Sequence, residues 1–207
     1  MELLNLLDPT SRAGPPTQFQ TWHLLAAFRI FCFANQPIGR YFLGVELSLG
    51  GGSIRSLIRF LRNRKLVEPI HRQGHRISAQ GKRHCHALNQ VLIHLAPVPP
   101  SSYTVDVSNI GCHLRGVANY ITDGLLQRDA AMQAGATGAT TFYQSPDPNI
   151  LIMPTDHTVP KSNVKEILQP FNLEKGDVLI IGSGSSRVSA QLGALAAAIP
   201  LLRKLGE

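Results

Sequence analysis

Residues 52–76 read GSIRSLIRFLRNRKLVEPIHRQGHR and carry the clearest structural pattern in the first half of the chain. Its apolar residues recur at helical spacing, so that one face of a helix can pack; they are Ile54, Leu57, Ile58, Leu61 and Leu66. The basic residues fall between them and project from the opposite face. The pattern predicts an amphipathic helix whose outer face suits the phosphate-lined groove of DNA.

Two further helices are predicted before this basic helix. Residues 19–33 are rich in apolar residues that suit a helix, residues 35–39 interrupt the pattern, and residues 40–49 form a shorter second helix. The glycines at 50–52 then supply the turn into the basic helix. Helix, break, helix, glycine turn and basic helix is the order of a helix-turn-helix.

A small hairpin is predicted after the basic helix. Residues 67–70 and 76–78 are two short strands around residues 71–75, where Gly74 supplies the positive φ that such a tip needs. This hairpin is the wing of a winged helix-turn-helix. A fourth helix is expected from Ser78 through His94.

Length and charge divide the chain of 207 residues into two domains. The proline-rich run 97–102 is predicted to link a first domain, 1–96, to a second domain, 103–207. Residues 1–100 carry 12 Lys and Arg against 4 Asp and Glu, whereas residues 101–207 carry 8 against 9. The formal charge of +7 therefore divides into +8 and −1, which indicates that only the first half meets a polyanion.

Several segments together resemble an archaeal winged-helix family of transcriptional regulators that join this module to a C-terminal domain of unknown function. They are residues 37–43, 52–61 and 74–81 in the first half, and 128–131, 134–136 and 138–141 in the second. The resemblance implies DNA binding and leaves the C-terminal activity unassigned. One departure is Arg64-Lys65-Leu66, which stands where Lys-Gly-Leu is common and predicts a stiffer or differently capped helix end.

The candidate DNA contacts lie on the basic helix and on the wing. The helix group is Ser53, Arg55, Ser56, Arg59 and Arg62, of which the first four are placed to read base edges. The wing group is Arg72, His75 and Arg76, which we expect to meet phosphate. The partner implied is double-stranded DNA, bound by a homodimer as is usual for helix-turn-helix proteins.

The second half alternates between strand and helix patterns. Strands are predicted at 103–107, 139–143, 150–153 and 177–181, and helices at 117–134, 164–171 and 187–205. The order βαββαβα predicts an α+β sandwich with the split βαβ arrangement of ferredoxin-like domains. We expect this domain to sense a small molecule or to mediate dimerisation.

A glycine- and serine-rich stretch is the candidate ligand site of the second half. It comprises Gly182, Ser183, Gly184, Ser185, Ser186 and Arg187. Free amides and a helix dipole between a strand and a helix favour an anion, so a small anionic effector is one expectation. The stretch lacks both the full dinucleotide fingerprint and the P-loop lysine. The alternative is a plain turn with Ser185 or Ser186 as the helix N-cap.

The remaining motifs do not indicate catalysis. His84, Cys85, His86, Cys112 and His113 raise the question of zinc, but they lack CxxC spacing, and no metal or cofactor is expected. Three widely spaced cysteines indicate a reducing cytoplasm without a disulfide framework, and neither a secretory signal nor an apolar run of membrane length is apparent. The leading hypothesis is a cytoplasmic DNA-binding regulator without enzymatic activity. The alternatives are an enzyme, or a binder of a phosphorylated or nucleotide-like molecule, tethered to a winged helix, and a winged helix that binds protein.

Overall fold

The computed structural model describes residues 2–9, 17–155 and 157–205. The chain forms two compact units, one of residues 2–89 and one from residue 90 onward. The first is mainly helical and carries a two-stranded hairpin, and the second is built on a six-stranded sheet. The predicted α+β class is confirmed.

The first unit has the helix-turn-helix order. Its elements are α1 Glu2–Leu6, α2 Thr21–Phe33, α3 Arg40–Leu47, α4 Gly51–Asn63, β1 Val67–Ile70, β2 Gly74–Ile77 and α5 Ala79–Val91. Fully buried side chains from α2, α3 and α4 form the core, among them Phe28, Leu43 and Leu57. Phe19, just before α2, packs edge-on against Phe60 of α4. The core therefore holds the inner face of α4 and leaves its arginines outside.

The end of α4 explains the departure at Lys65. The Leu66 N–H donates to the Leu61 carbonyl at 3.0 Å and the Lys65 N–H to the Arg62 carbonyl at 2.8 Å, which is the Schellman pattern of a helix C-terminus. Lys65 therefore takes the left-handed position, with φ of 57°. Glycine is the residue that adopts this conformation without steric cost. The helix end has the usual cap geometry, built here with a side chain that strains it.

The tip of the wing has fewer residues than predicted. The register pairs Val67 with Ile77 and Ile70 with Gly74, so β2 begins at residue 74 rather than 76. The shift arises because Arg72 also takes a positive φ, of 56°, and the Gln73 N–H donates to the Ile70 carbonyl at 3.0 Å. The tip is therefore the three residues 71–73.

The wing is tied to the segment that precedes α3. Ile38 and His75 exchange two backbone hydrogen bonds, of 2.7 and 3.0 Å. Gly74 has a φ of 119°, and a Cβ there would lie 2.8 Å from the Ile38 carbonyl carbon and closer still to its oxygen. Only glycine fits at this approach.

The predicted fourth helix and linker are wrong in their boundaries. Helix α5 ends at Val91, and β3, Leu92–Pro97, follows it directly as an edge strand of the second unit's sheet. Leu92 pairs with Leu114 and Leu95 with Cys112, which gives the backbone of β3 a hydrogen-bonded partner. The apolar residues at 88, 92 and 95 suit a helix as well as a strand, so their spacing alone misled the prediction.

The second unit is an antiparallel sheet covered by helices. Its other elements are β4 Ser108–Leu114, α6 Leu125–Gln133, β5 Gly138–Gln144, β6 Ile150–Ile152, β7 Thr158–Pro160, α7 Lys165–Leu168, β8 Val178–Gly184 and α8 Arg187–Lys204. The strand order is β3-β4-β8-β5-β6-β7. Both β4 and β5 run antiparallel to β8 between them, so β4–α6–β5 is a split βαβ unit. The strand that divides it is the last of the series, whereas in the ferredoxin-like order it is the third.

The strand predicted at 103–107 is a loop, and the strand lies at 108–114 instead. The Asp106 carboxylate accepts bonds from the Thr137 hydroxyl and the Val107 N–H, and these bonds lower the pKa of Asp106 below its ordinary value.

The helix predicted at 117–134 begins only at Leu125. The Asp123 side chain accepts the Leu125 N–H at 2.9 Å and holds the turn that precedes it.

Two cysteines meet in the first unit, which corrects the expectation that none would pair. Cys32 near the end of α2 and Cys85 on α5 form a disulfide, with their Cα atoms 5.8 Å apart. They lie 53 residues apart in sequence, so spacing gave no sign of the pairing.

Among the described residues, no helix is long and apolar enough to cross a lipid bilayer.

Replacing Lys65 by glycine is expected to stabilise the first unit. Relief of the left-handed strain should raise the free energy of unfolding by about 1 kcal/mol. Urea unfolding monitored by fluorescence of Trp22, the single tryptophan, measures the change. Lys65→Ala is the matched control, because it removes the charge and keeps the strain. Equal stability of the two variants would contradict this account.

The stability of the first unit is expected to fall in mild acid because of His23. The Gln20 N–H donates to His23 Nδ1 at 3.1 Å at the start of α2, and burial lowers the pKa of His23 to about 4. The unfolded chain takes up this proton near pH 6.5, so the contribution is full above that pH and is lost as the pH falls toward 4. We expect a loss of about 1–2 kcal/mol, since the ring is only half-buried.

Urea titrations at pH 4 to 7 test this dependence. His23→Gln is the matched variant, because a glutamine at this position can complete the same capping box without titrating. Its stability should change less than that of the wild type over this range. Identical profiles for the two proteins would exclude His23 as the group responsible.

Candidate nucleic-acid interface

An exposed arginine stripe runs along α4. Arg55, Arg59 and Arg62 are spaced four and three residues apart, so their side chains leave the same face of the helix. All three are exposed, and none has a carboxylate within salt-bridge distance in the part of the chain that the structure describes. The opposite face is anchored by the buried Ile54, Leu57 and Leu61. The stripe therefore presents three cations on a rigid element.

Ser53, predicted to read base edges, does not lie on the exposed arginine stripe. Its hydroxyl donates to the Gln18 side-chain oxygen at 2.6 Å, and the residue is buried. Ser53 lies one turn before Leu57, on the side of α4 that packs against the segment leading into α2. Ser56 is partly exposed and lies beside the arginine stripe. Of the two serines, only Ser56 remains a candidate contact.

The wing and α4 come together around His75. The positive charges of Arg62 and Arg40 act on its imidazole, and together with burial, which is the larger effect, they lower the pKa of His75. Both ring nitrogens are buried, and neither has a hydrogen-bond partner among the residues that the structure describes. His75 was predicted to reach phosphate, but its backbone ties the wing to Ile38 and its ring lies inside. It is a positioning residue for the wing.

The outer wing residues divide into two kinds. Arg72, at the tip, is exposed and has no carboxylate partner among the described residues. Arg76 pairs with Glu68 across the hairpin, with Nε 2.8 Å from the carboxylate oxygen. This pair neutralises part of the charge expected at the wing. Arg72 is therefore the stronger of the two candidates for phosphate.

Sequence reasoning missed the contribution of α3. Arg40 stands at the first position of α3, and Tyr41 is exposed over 87% of its surface. Together with Val45 and Arg55 they line a concavity of about 620 Å³ between α3 and the start of α4. A tyrosine next to an arginine at the start of a predicted helix was the signal that the sequence offered. The candidate interface thus comprises the α4 stripe, the start of α3 and the wing tip.

The glycine-rich stretch of the second unit has a packing role. Gly182, Ser183 and Gly184 lie inside β8 and are buried, which contradicts their prediction as an open anion loop. The Ser183 hydroxyl donates to Asn109 Oδ1 at 2.6 Å. A Cβ at Gly182 would lie 2.5 Å from the Ala194 nitrogen, so its absence lets α8 approach the sheet.

The rest of that stretch begins α8. Ser186 is the N-cap, and its side chain accepts the Ser189 N–H at 3.1 Å in a capping box. This is the alternative role that the sequence left open for the stretch. Ser185 and Arg187 are exposed. A small anion would find the Ser189 N–H already bonded.

Two of the residues considered for zinc have other partners. Cys85 pairs with Cys32, and His113 Nε2 lies 2.7 Å from a carboxylate oxygen of the buried Asp177. Asp177 also accepts the N–H groups of Gly116 and Glu174, so this cluster closes a turn. No group of three or more His, Cys, Asp or Glu side chains among the described residues is arranged to hold a metal ion.

Comparisons with known proteins address the fold. A family model described as a domain of unknown function (DUF4443) matches residues 105–202, as expected for the second half. A solved hypothetical protein from Pyrococcus horikoshii OT3 is 22% identical, with a TM-score of 0.72 over 91% of this chain and 96% of its own. An IclR family transcriptional regulator from Brucella abortus is 14% identical, with a TM-score of 0.30 over 77% of this chain and 51% of its own. No curated protein matches the chain.

Substituting Gly182 by alanine is expected to destabilise the second unit. The added methyl would meet the backbone of α8, and overpacking of this kind costs about 1–3 kcal/mol or more. Chemical unfolding followed by far-UV circular dichroism measures the loss. Ser185→Ala, three residues away and exposed, is the matched control and should change stability little. A stable Gly182→Ala protein would argue against a packing role for the glycine.

Proposed function

We propose that the first unit binds duplex DNA through α4 and the wing, and that the chain is a transcriptional regulator of the cytoplasm. The observation that carries this proposal is the stripe of Arg55, Arg59 and Arg62 on the exposed face of α4, whose opposite face is buried. None of the three arginines has a carboxylate partner among the described residues. The net charge of +8 on residues 1–100 supports it. A basic face concentrates a polyanion near the helix.

The binding mode follows from the placement of the cations. Helix α4 enters the major groove, where an arginine pairs bidentately with the O6 and N7 atoms of guanine. Arg55 and Arg59, toward the start of α4, are the base-reading candidates. Arg40 and Arg72 flank the stripe from α3 and from the wing tip and contact phosphate. Phosphate contacts orient the protein and carry little sequence information.

The second unit serves in this proposal as the dimerisation or effector-sensing part, without a catalytic step of its own. Helix α6 exposes Leu125, Leu126 and Met132, three large apolar side chains on one short helix. Exposed apolar patches mark interaction surfaces. A homodimer presents two α4 helices to two half-sites, which predicts two chains per specific duplex.

The Arg55→Ala/Arg59→Ala variant tests DNA binding. Loss of two cations from the groove-facing stripe should weaken binding at least tenfold and lower the slope of log K against log salt by about 1 to 2. Fluorescence anisotropy with labelled duplex, titrated with salt, measures both quantities. The duplexes are a random sequence and the region upstream of the protein's own gene.

Arg115→Ala/Arg128→Ala is the matched control. It removes the same charge from exposed positions of the second unit, so it should bind as the wild type does. Equal weakening by both double variants would show that bulk charge, not the stripe, attracts DNA. A wild type that binds no duplex at low salt would remove the DNA-binding proposal.

A further inference from the structure

We propose that Cys32 and Cys85 form a reversible redox crosslink, so that the stability of the first unit follows the thiol–disulfide poise of its surroundings. The crosslink joins α2 to α5, the helices on either side of the helix-turn-helix and the wing. It is independent of what the unit binds. Both cysteines lie outside residues 105–202, which the family model matches.

The separation of the two backbones suits a disulfide. The Cα separation of 5.8 Å falls within the range that disulfides adopt without backbone movement. Cys85 is buried on α5, whereas Cys32, near the end of α2, is only half-buried. The Asn89 side-chain amide, one turn further along α5, donates to the Cys85 sulfur at 3.6 Å.

The crosslink closes a loop that contains the candidate interface, so it affects the stability of that interface. The closed loop contains α3, α4, β1 and β2, and with them Arg40, the α4 stripe and Arg72. Helix α2 leads into Ile38, which pairs with the wing, and α5 begins directly after β2. Restricting a loop of this length in the unfolded chain stabilises the folded unit. A domain of fewer than 90 residues has a small core, so such a constraint is a large share of its stability.

A low-molecular-weight disulfide such as oxidised glutathione is the oxidant that forms the crosslink. The Cys32 thiolate attacks one glutathione sulfur, forms a mixed disulfide and expels the other glutathione as a thiolate. The Cys85 thiolate then attacks the Cys32 sulfur and expels the second glutathione. Two cysteine thiols are oxidised, one glutathione disulfide is reduced to two thiols, and the two cysteine protons end on them.

The full-length chain, equilibrated with oxidised glutathione or with dithiothreitol, tests the proposal. Thiol titration in denaturant should count one thiol in the oxidised chain and three in the reduced chain, because the chain has three cysteines. Thermal unfolding is followed by Trp22 fluorescence, since this tryptophan lies in α2 and reports on the first unit. The oxidised midpoint should lie about 10 °C above the reduced one.

Two cysteine variants separate the crosslink from other thiol effects. Cys32→Ser should melt at one temperature under both conditions, near the reduced wild type. Cys112→Ser should keep the full redox shift, because Cys112 lies in β4 of the other unit. Three thiols after treatment with oxidised glutathione, or equal midpoints for the oxidised and reduced wild type, would overturn the proposal.

A DNA-binding measurement links the crosslink to the proposed function. This part of the test rests on the proposed function. At a temperature between the two midpoints, the oxidised chain should bind random-sequence duplex and the reduced chain should not. If thiol counts and midpoints shift as expected while neither form binds duplex at any temperature, DNA binding fails and the crosslink stands. If both forms bind equally at that temperature, the crosslink does not govern the unit.

Discussion

The burial of one face of α4 is the constraint on which the candidate interface depends. Ile54, Leu57 and Leu61 are wholly buried among side chains of α2 and α3, and this fixes the rotation of the helix about its axis. Because side chains three and four positions apart share a face, the same rotation sets Arg55, Arg59 and Arg62 outward as a group. A helix free to rotate would spread these charges in all directions.

The wing depends on a second constraint, the close approach of its backbone to the segment before α3. The Ile38–His75 pair adds a third strand-like partner to a two-stranded hairpin that would be marginal alone. Gly74 permits the approach, and both ring nitrogens of the neighbouring His75 are buried. The backbone therefore ties the wing to the segment that leads into α3, and a wing held in one position has less ordering to undergo on binding.

The second unit shows how the same residue types serve different purposes in different surroundings. Glycine and serine between a strand and a helix suit an anion site when their amides are open. Here Gly182 and Gly184 accommodate α8 against β8, and the Ser183 hydroxyl donates to Asn109 of β4 and accepts the Val105 N–H from the preceding loop. Composition alone does not separate these roles, because they differ only in what packs above the strand. The sequence of the stretch is compatible with a ligand loop, and the packing of α8 on β8 gives it a structural role instead.

By itself the sequence determined what depends on near neighbours in the chain. Periodicity predicted the helices α2 to α4, turn residues predicted the wing, and charge counting set the basic half apart from the neutral half. Contacts between distant segments place Ser53 inside and Arg40 outside, make β3 part of the sheet, and bring Cys32 to Cys85. The reason is that local spacing sets which residues share a face, whereas the packing of distant segments sets what that face meets.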